Sequence, residues 1–251
     1  MAEQGAVNSQ VAGSNPAGPA ILLDMFDNVV YLNRDQDVER REITEKQFLN
    51  LGVSAHRFSA ITESIEDYCH QTPEELRISK PQLSCLISHL EIIRTYGDKD
   101  ILVFEDDINI APYEYWGFSF KDLIDAMPAF VGCLQLFTFP APASNIVKKW
   151  VPGLFGTAAY FLKKEYASRL VELGYIDGKW DISKMPNRYS QPLADSVLYS
   201  HDGSYSIVLF GIRNETSTIL PHATYGQTAS LVTEHLISNP PSLKAIKDSV
   251  S

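Results

Sequence analysis

Cysteine is scarce in this chain, with three residues, Cys69, Cys85 and Cys133, among 251. None stands in a CxxC pair and the number is odd, so neither a disulfide framework nor a cysteine-built structural zinc site is indicated. Positive charge is also short: 21 Lys and Arg face 31 Asp and Glu, a formal charge of −10. That balance disfavours a nucleic-acid binder, or an anionic-membrane binder, that works through a basic surface. Long apolar runs are missing as well. ILLDMFDNVVYL and PAFVGCLQLFTFPAPA are cut by Asp24 and Asp27 or bounded by Pro128 and Pro140. Neither reaches the ~20 uninterrupted residues of a spanning helix, and no integral membrane segment is expected. The opening MAEQGAVNSQVAGSNPAGPA lacks the basic start and apolar centre of a secretory signal. Residues 1–27 are therefore expected to be a disordered lead-in, and a cytoplasmic location is favoured.

What is present is enough for a core, since 45% of residues are apolar or aromatic, which suits one globular domain. From Asn28, NVVYLNRD reads as a short strand, and QDVERREITEKQFLNLG as a charged helix closed by Gly52. The segment from Thr62 to Ser79 reads as a polar loop. A helix from Pro81 puts Leu83, Leu86, Ile87, Leu90 and Ile93 on one face and stops at Gly97. A strand at Ile101 to Phe104 follows, then a helix carrying Phe120, Leu123, Ile124 and Met127, and an apolar strand within AFVGCLQLFTF. Thr157 to Leu162 reads as another strand, before a helix with Tyr166, Leu170 and Leu173 inward; SYSIVLFG alternates like a half-buried strand. Strands alternating with helices predict an α/β layer fold with a mostly parallel sheet flanked by helices. The expected domain covers 28–222, and 223–251 reads as an irregular tail.

The chemistry concentrates at ILVFEDDIN, where an apolar strand runs into Glu105, Asp106 and Asp107. Three adjacent carboxylates repel one another and lose solvation near a core, unless water, a cation or a positive group offsets them. Successive side chains diverge in an extended chain, so Glu105 and Asp107 are the natural pair for one ion. Oxygen donors favour Mg²⁺ or Mn²⁺. Capping of a following helix by Asp106 or Asp107 is an equal alternative at this point. Asn33, Arg34 and Arg40 follow a strand end and could meet a nucleotide. Ser88 and His89 interrupt the apolar stripe of the Pro81 helix, and Gly156 and Thr157 allow close backbone approach before a strand.

Taken in order, YLNRDxxxER, LSCLISHLEI, ILVFEDDI and GTAAYFLKKEYASRL resemble glycosyltransferase family 25 from about Asn28 to about Pro221. The family includes lipopolysaccharide β-galactosyltransferases and collagen galactosyltransferases. The resemblance implies a GT-A-like nucleotide-sugar-binding fold. It also implies inverting transfer of a hexose, often galactose from UDP-galactose, to a glycan or protein acceptor. Carried across, Asn33, Arg34 and Arg40, with Ser88, look like the donor side, and Glu105, Asp106 and Asp107 like an acidic motif holding Mn²⁺ or Mg²⁺. Gly156, Thr157 and Tyr160 look like the segment lining donor sugar or acceptor. Asp195, in PLADSVLY, is similar to a late motif aspartate. Inversion needs a carboxylate to take the proton of the attacking hydroxyl; Asp195 is the candidate base, with His89 as a second catalytic candidate. A metal-dependent phosphate-ester or nucleotide hydrolase, and an inactive binding module of the same fold, remain as rivals. A receiver domain is not, because its acidic pair belongs near the start of the domain.

Overall fold

The computed structural model describes residues 28–139, 146–213 and 224–250, with side chains from 231 onward in the last stretch. The expected lead-in, residues 1–27, lies outside the described residues, as does Pro221. The chain runs β1 (Val29–Asn33), α1 (Val38–Asn50), β2 (His56–Ser59), α2 (Pro73–Leu76), α3 (Lys80–Tyr96), β3 (Ile101–Glu105), β4 (Ile108–Asn109), α4 (Phe120–Ala126), β5 (Cys133–Gln135) and β6 (Lys148–Lys149). It continues through β7 (Ala159–Leu162), α5 (Lys164–Gly174), β8 (Tyr175–Ile176), β9 (Lys179–Trp180), α6 (Ala194–Tyr199), β10 (Ser204–Ser206), β11 (Gly211–Ile212), α7 (Thr224–Ser238) and α8 (Leu243–Val250).

Seven strands form the central sheet in the order β2-β1-β3-β7-β5-β10-β6. β1 is parallel to β2 and β3, and β10 to β5, while β7 is antiparallel to β3 and β5, and β6 to β10. Thus β7 and the edge strand β6 run against the direction of the other five, and the α/β class holds.

The neighbouring strands β1 and β3 are apolar up to their last residues, Asn33 and Glu105, because each buries both faces. Val29, Tyr31, Leu102 and Phe104 point into one core layer, with Phe48 of α1, Phe120 of α4, and Trp116. Val30, Leu32, Ile101 and Val103 point into the other, with the buried stripe of α3, Leu170 of α5, and Trp180. α3 starts with a capping box in which Ser79 and Gln82 satisfy each other's backbone N–H groups. Its burial extends past the apolar stripe to Glu91, whose carboxylate accepts from Trp180 Nε1 at 2.7 Å and pairs with Arg94. α1 ends as expected: Leu51 is the C-cap and Gly52 follows at φ +65°, left-handed backbone that glycine adopts without strain.

Four expectations need correction. The Thr62–Ser79 loop contains α2, capped by Thr72 with Glu75 answering from the third helical position. SYSIVLFG forms a strand over Ser204–Ser206 and joins β11 only at Gly211; Ile207 to Phe210 between them are fully buried rather than half-buried, and the N–H groups of Ile207, Leu209 and Phe210 reach the carbonyls of Gln135 and Leu136. Leu173 faces outward at 39% exposure. The inward row of α5 steps by four residues, Tyr166, Leu170 and Gly174, and a Cβ on Gly174 would lie 2.8 Å from Met185 and 3.2 Å from Trp180. Lastly, the C-terminal tail is helical. α7 packs against β11 and the turn of 3₁₀ helix at Ala111–Tyr115, and α8 against α4. Leu243, Ile246 and Val250 fall on one face of α8, with Ile246 fully buried in the first core layer.

Candidate functional site

At the carboxyl ends of β1 and β3, where an open α/β sheet collects ligands, a cavity of about 410 Å³ opens. Asn33, Arg34 and Arg40 form one wall, Ser88 and the first turns of α3 another, and Glu105, Asp106 and Asp107 the floor. The structure thus gathers residues 33, 34, 40, 88, 105, 106 and 107 into one site, as expected from the sequence. Lys80, Thr62 and Cys85 also line it and were missed. Lys80 is the first residue of α3, and none of the hydrogen bonds or ion pairs of the described residues involves its ammonium group.

The acidic turn is offset largely by the protein itself. Asp106 has both carboxylate oxygens in use: Asn33 Nδ2 donates to Oδ2 at 2.7 Å, and Arg40 Nη2 lies 2.6 Å from Oδ1. Burial still raises its pKa, against the pull of Arg40 and Asn33. Arg40 also reaches Asp107 Oδ2 at 3.4 Å. The backbone of the turn is clamped from two sides. Thr44 of α1 donates to the Asp106 carbonyl at 2.9 Å, and Arg213, just after β11, donates its N–H to the Asp107 carbonyl at 2.7 Å and its guanidinium to that of Asp106. Arg34 is held bidentately by Asp37, at 2.6 and 2.8 Å.

Glu105 is the link to a second layer. Its Oε1 lies 3.2 Å from His89 Nε2 and accepts from the Thr157 hydroxyl. Burial would lift its pKa, but the His89 and Thr157 bonds outweigh burial and hold the carboxyl below its usual range. Behind it, His89 Nδ1 lies 3.0 Å from the Tyr160 hydroxyl. His89 and Tyr160 are both fully buried. The expectation that Tyr160 lines the donor or acceptor is therefore corrected: its hydroxyl is spent on orienting His89. His89 likewise meets the cavity only through Glu105.

Gly156, Thr157 and Asp195 do not line the cavity but adjoin its floor. The Gly156 N–H donates to Asp195 Oδ2 at 3.2 Å, and the Ser196 N–H to Oδ1 at 2.8 Å. Gln135 Nε2 donates to the Gly156 carbonyl at 2.8 Å. Gly156 has φ +116°, and an added Cβ would lie 2.9 Å from the Phe137 ring, so glycine is required there. Burial raises the pKa of Asp195, opposed by these N–H donors.

Glu105 and Asp107 remain as the pair suited to a hard divalent cation. Both line the cavity, whereas Asp106 is fully engaged; the chain turns at Asp106 and Asp107, so it is the shared cavity and not strand alternation that brings them together. A family model described as glycosyltransferase family 25 (LPS biosynthesis protein) matches residues 28–176. Every cavity-lining residue falls inside that stretch, and Asp195 outside it. No curated protein matches the chain. No helix among the described residues is long and apolar enough to cross a membrane.

Proposed function

The chain belongs to glycosyltransferase family 25 and is a glycosyltransferase, and from that premise we propose that it moves a hexose, galactose first among the candidates, from a nucleotide diphosphate sugar to a hydroxyl of a glycan or protein acceptor, with inversion and with Mn²⁺ or Mg²⁺. The observation that carries this reading is one cavity lined by Lys80 and Arg40 together with Glu105 and Asp107 at the carboxyl edge of the sheet. A nucleotide diphosphate presents several negative charges to such a site and leaves with more as the sugar bond breaks.

Glu105 and Asp107 would hold the cation, which when bound neutralises charge on the departing diphosphate. Lys80, at the start of α3, adds a charge-assisted donor where the helix dipole already favours an anion. Arg40, fixed by Asp106, keeps the floor from becoming too negative to admit phosphate. Asp195 takes the acceptor proton: its carboxylate is mostly withdrawn from water, aimed by two backbone N–H groups, and its raised pKa makes it a better base than an exposed aspartate.

Thermal melting with a panel of uridine and guanosine diphosphate sugars, with and without Mn²⁺, tests the reading. One sugar nucleotide is expected to stabilise the wild type only with metal, by roughly 2.7 kcal/mol at a hundredfold excess over its Kd, and Asp107→Ala to lose that effect. If no sugar nucleotide stabilises the protein, the donor assignment fails. Lys80→Ala is expected to raise the donor KM about tenfold with kcat little changed, the loss of one charge-assisted bond of ~1.5 kcal/mol. Steady-state kinetics at varied donor would show this, and an unchanged KM would remove Lys80 from the phosphate site.

A further inference from the structure

The geometry points to a second cation site, for a borderline-soft ion such as Zn²⁺, formed by Cys85, His89 and Glu105 at the inner wall of the cavity. Their donor atoms all lie within 4.8 Å of one another. Cys85 and His89 are four residues apart on α3 and so share a face, while Glu105 approaches from the end of β3. Two donors on one tetrahedral Zn²⁺ sit about 3.4 Å apart for nitrogen and oxygen, and about 3.6 Å for sulfur and nitrogen, given the usual bond lengths. His89 Nε2 and Glu105 Oε1, at 3.2 Å, already have that span.

The surroundings match what a ligand set needs. Tyr160 holds His89 by Nδ1, leaving Nε2 turned to the site, the arrangement that fixes a ligating imidazole. Thr157 donates its hydroxyl to the Glu105 carboxylate and so fixes the position of that donor. Cys85 and Glu105 line the cavity, which gives an ion an entry path and leaves a fourth position for water or a phosphate oxygen. Binding forms a thiolate–metal bond and releases the thiol proton to solvent, so no co-reactant is needed. The site shares Glu105 with the pair proposed for the cation of the diphosphate, but it requires neither nucleotide nor acceptor, and substitutions at Cys85 and at Asp107 separate the two.

The test is titration of the metal-free protein with Co²⁺ as a spectroscopic substitute for Zn²⁺. One Co²⁺ per chain is expected, with visible bands of tetrahedral cobalt and a near-ultraviolet thiolate-to-cobalt band, displaced by one equivalent of Zn²⁺. Cys85→Ser should lose the near-ultraviolet band, and Asp107→Asn should keep it. Cys69 and Cys133 are buried elsewhere and present in every variant, so they cannot account for a band that disappears with Cys85. Tyr160→Phe should keep the band but weaken Co²⁺ binding about tenfold, as loss of a partner behind a ligand does. A wild type without the thiolate band, or a band that survives Cys85→Ser, overturns the site and leaves His89, Glu105 and Thr157 as a hydrogen-bonded triad only.

Discussion

Asp195→Asn is expected to slow transfer by about 10²–10⁴-fold, the contribution of a positioned proton acceptor, while metal-dependent stabilisation by the donor persists. Asparagine keeps the shape and accepts one of the two backbone N–H groups, Gly156 or Ser196, through its amide oxygen, at the cost of the other bond, so the larger loss should be one of chemistry and not of folding. In the wild type the base must be ionised, and burial raises its pKa. Activity should therefore fall on the acid side, with a limb above the pKa of an exposed aspartate. The sign for stability is opposite. A folded-state pKa above the unfolded one gives stability that is present below the unfolded pKa and is lost as pH rises through the folded value. At neutral pH the ionised Asp195 is a cost to the fold that asparagine removes, while the amide NH₂ forfeits one backbone N–H bond, so the variant should melt close to the wild-type temperature. Transfer rates across pH and a melting curve decide the matter: an unchanged rate removes Asp195 from the chemistry.

Asp106→Ala is expected to cost about 3 kcal/mol, the lower end of what removing one partner of a buried ion pair costs. It would take from the Arg40 guanidinium its 2.6 Å partner, leaving Asp107 at 3.4 Å, and from the Asn33 amide its 2.7 Å acceptor. For a domain of this size that is a fall in Tm of roughly 6–12 °C, with no ligand added. The expectation separates two roles that the run of three carboxylates cannot. If Asp106 were a metal ligand, its loss would leave the metal-free melting temperature near that of the wild type and abolish only the metal-dependent increment. Urea or thermal unfolding of the metal-free variant distinguishes them.

The layer fold was legible because strand and helix periodicities are local properties, and β1, α3 and β3 show them cleanly. So was the gathering of Asn33, Arg34, Arg40 and the acidic turn, since strand ends on one edge of a sheet converge on one place. The division of labour within the turn was not legible. Asp106 and Asp107 look equivalent in sequence, and only the positions of Asn33 on the neighbouring strand and Arg40 on α1 tell them apart. Tyr160 shows the same limit: an aromatic after GTAA could face a sugar or a histidine, and register against β3 decided for His89. Other misses had local signals. Thr72-Pro73 with Glu75 is a capping box, and Leu243, Ile246 and Val250 are spaced for one face of a helix. Lys80 could have been read as the first residue of a helix whose next residue is proline, a place where anions are welcome.

The position of β10 in the sheet has a consequence for synthesis. Ser204–Ser206 lies between β5 and β6, strands that end more than fifty residues earlier in the chain. On a ribosome, the edges of β5 and β6 would emerge and wait for a strand not yet made, and the buried run Ile207–Phe210 follows later still. Pairings of such separation form slowly, and the unpaired edge of β5, buried throughout in the finished sheet, is prone to stick to other chains in the interval. The nascent protein is thus expected to depend on late closure, a vulnerability in its production that the finished sheet no longer displays.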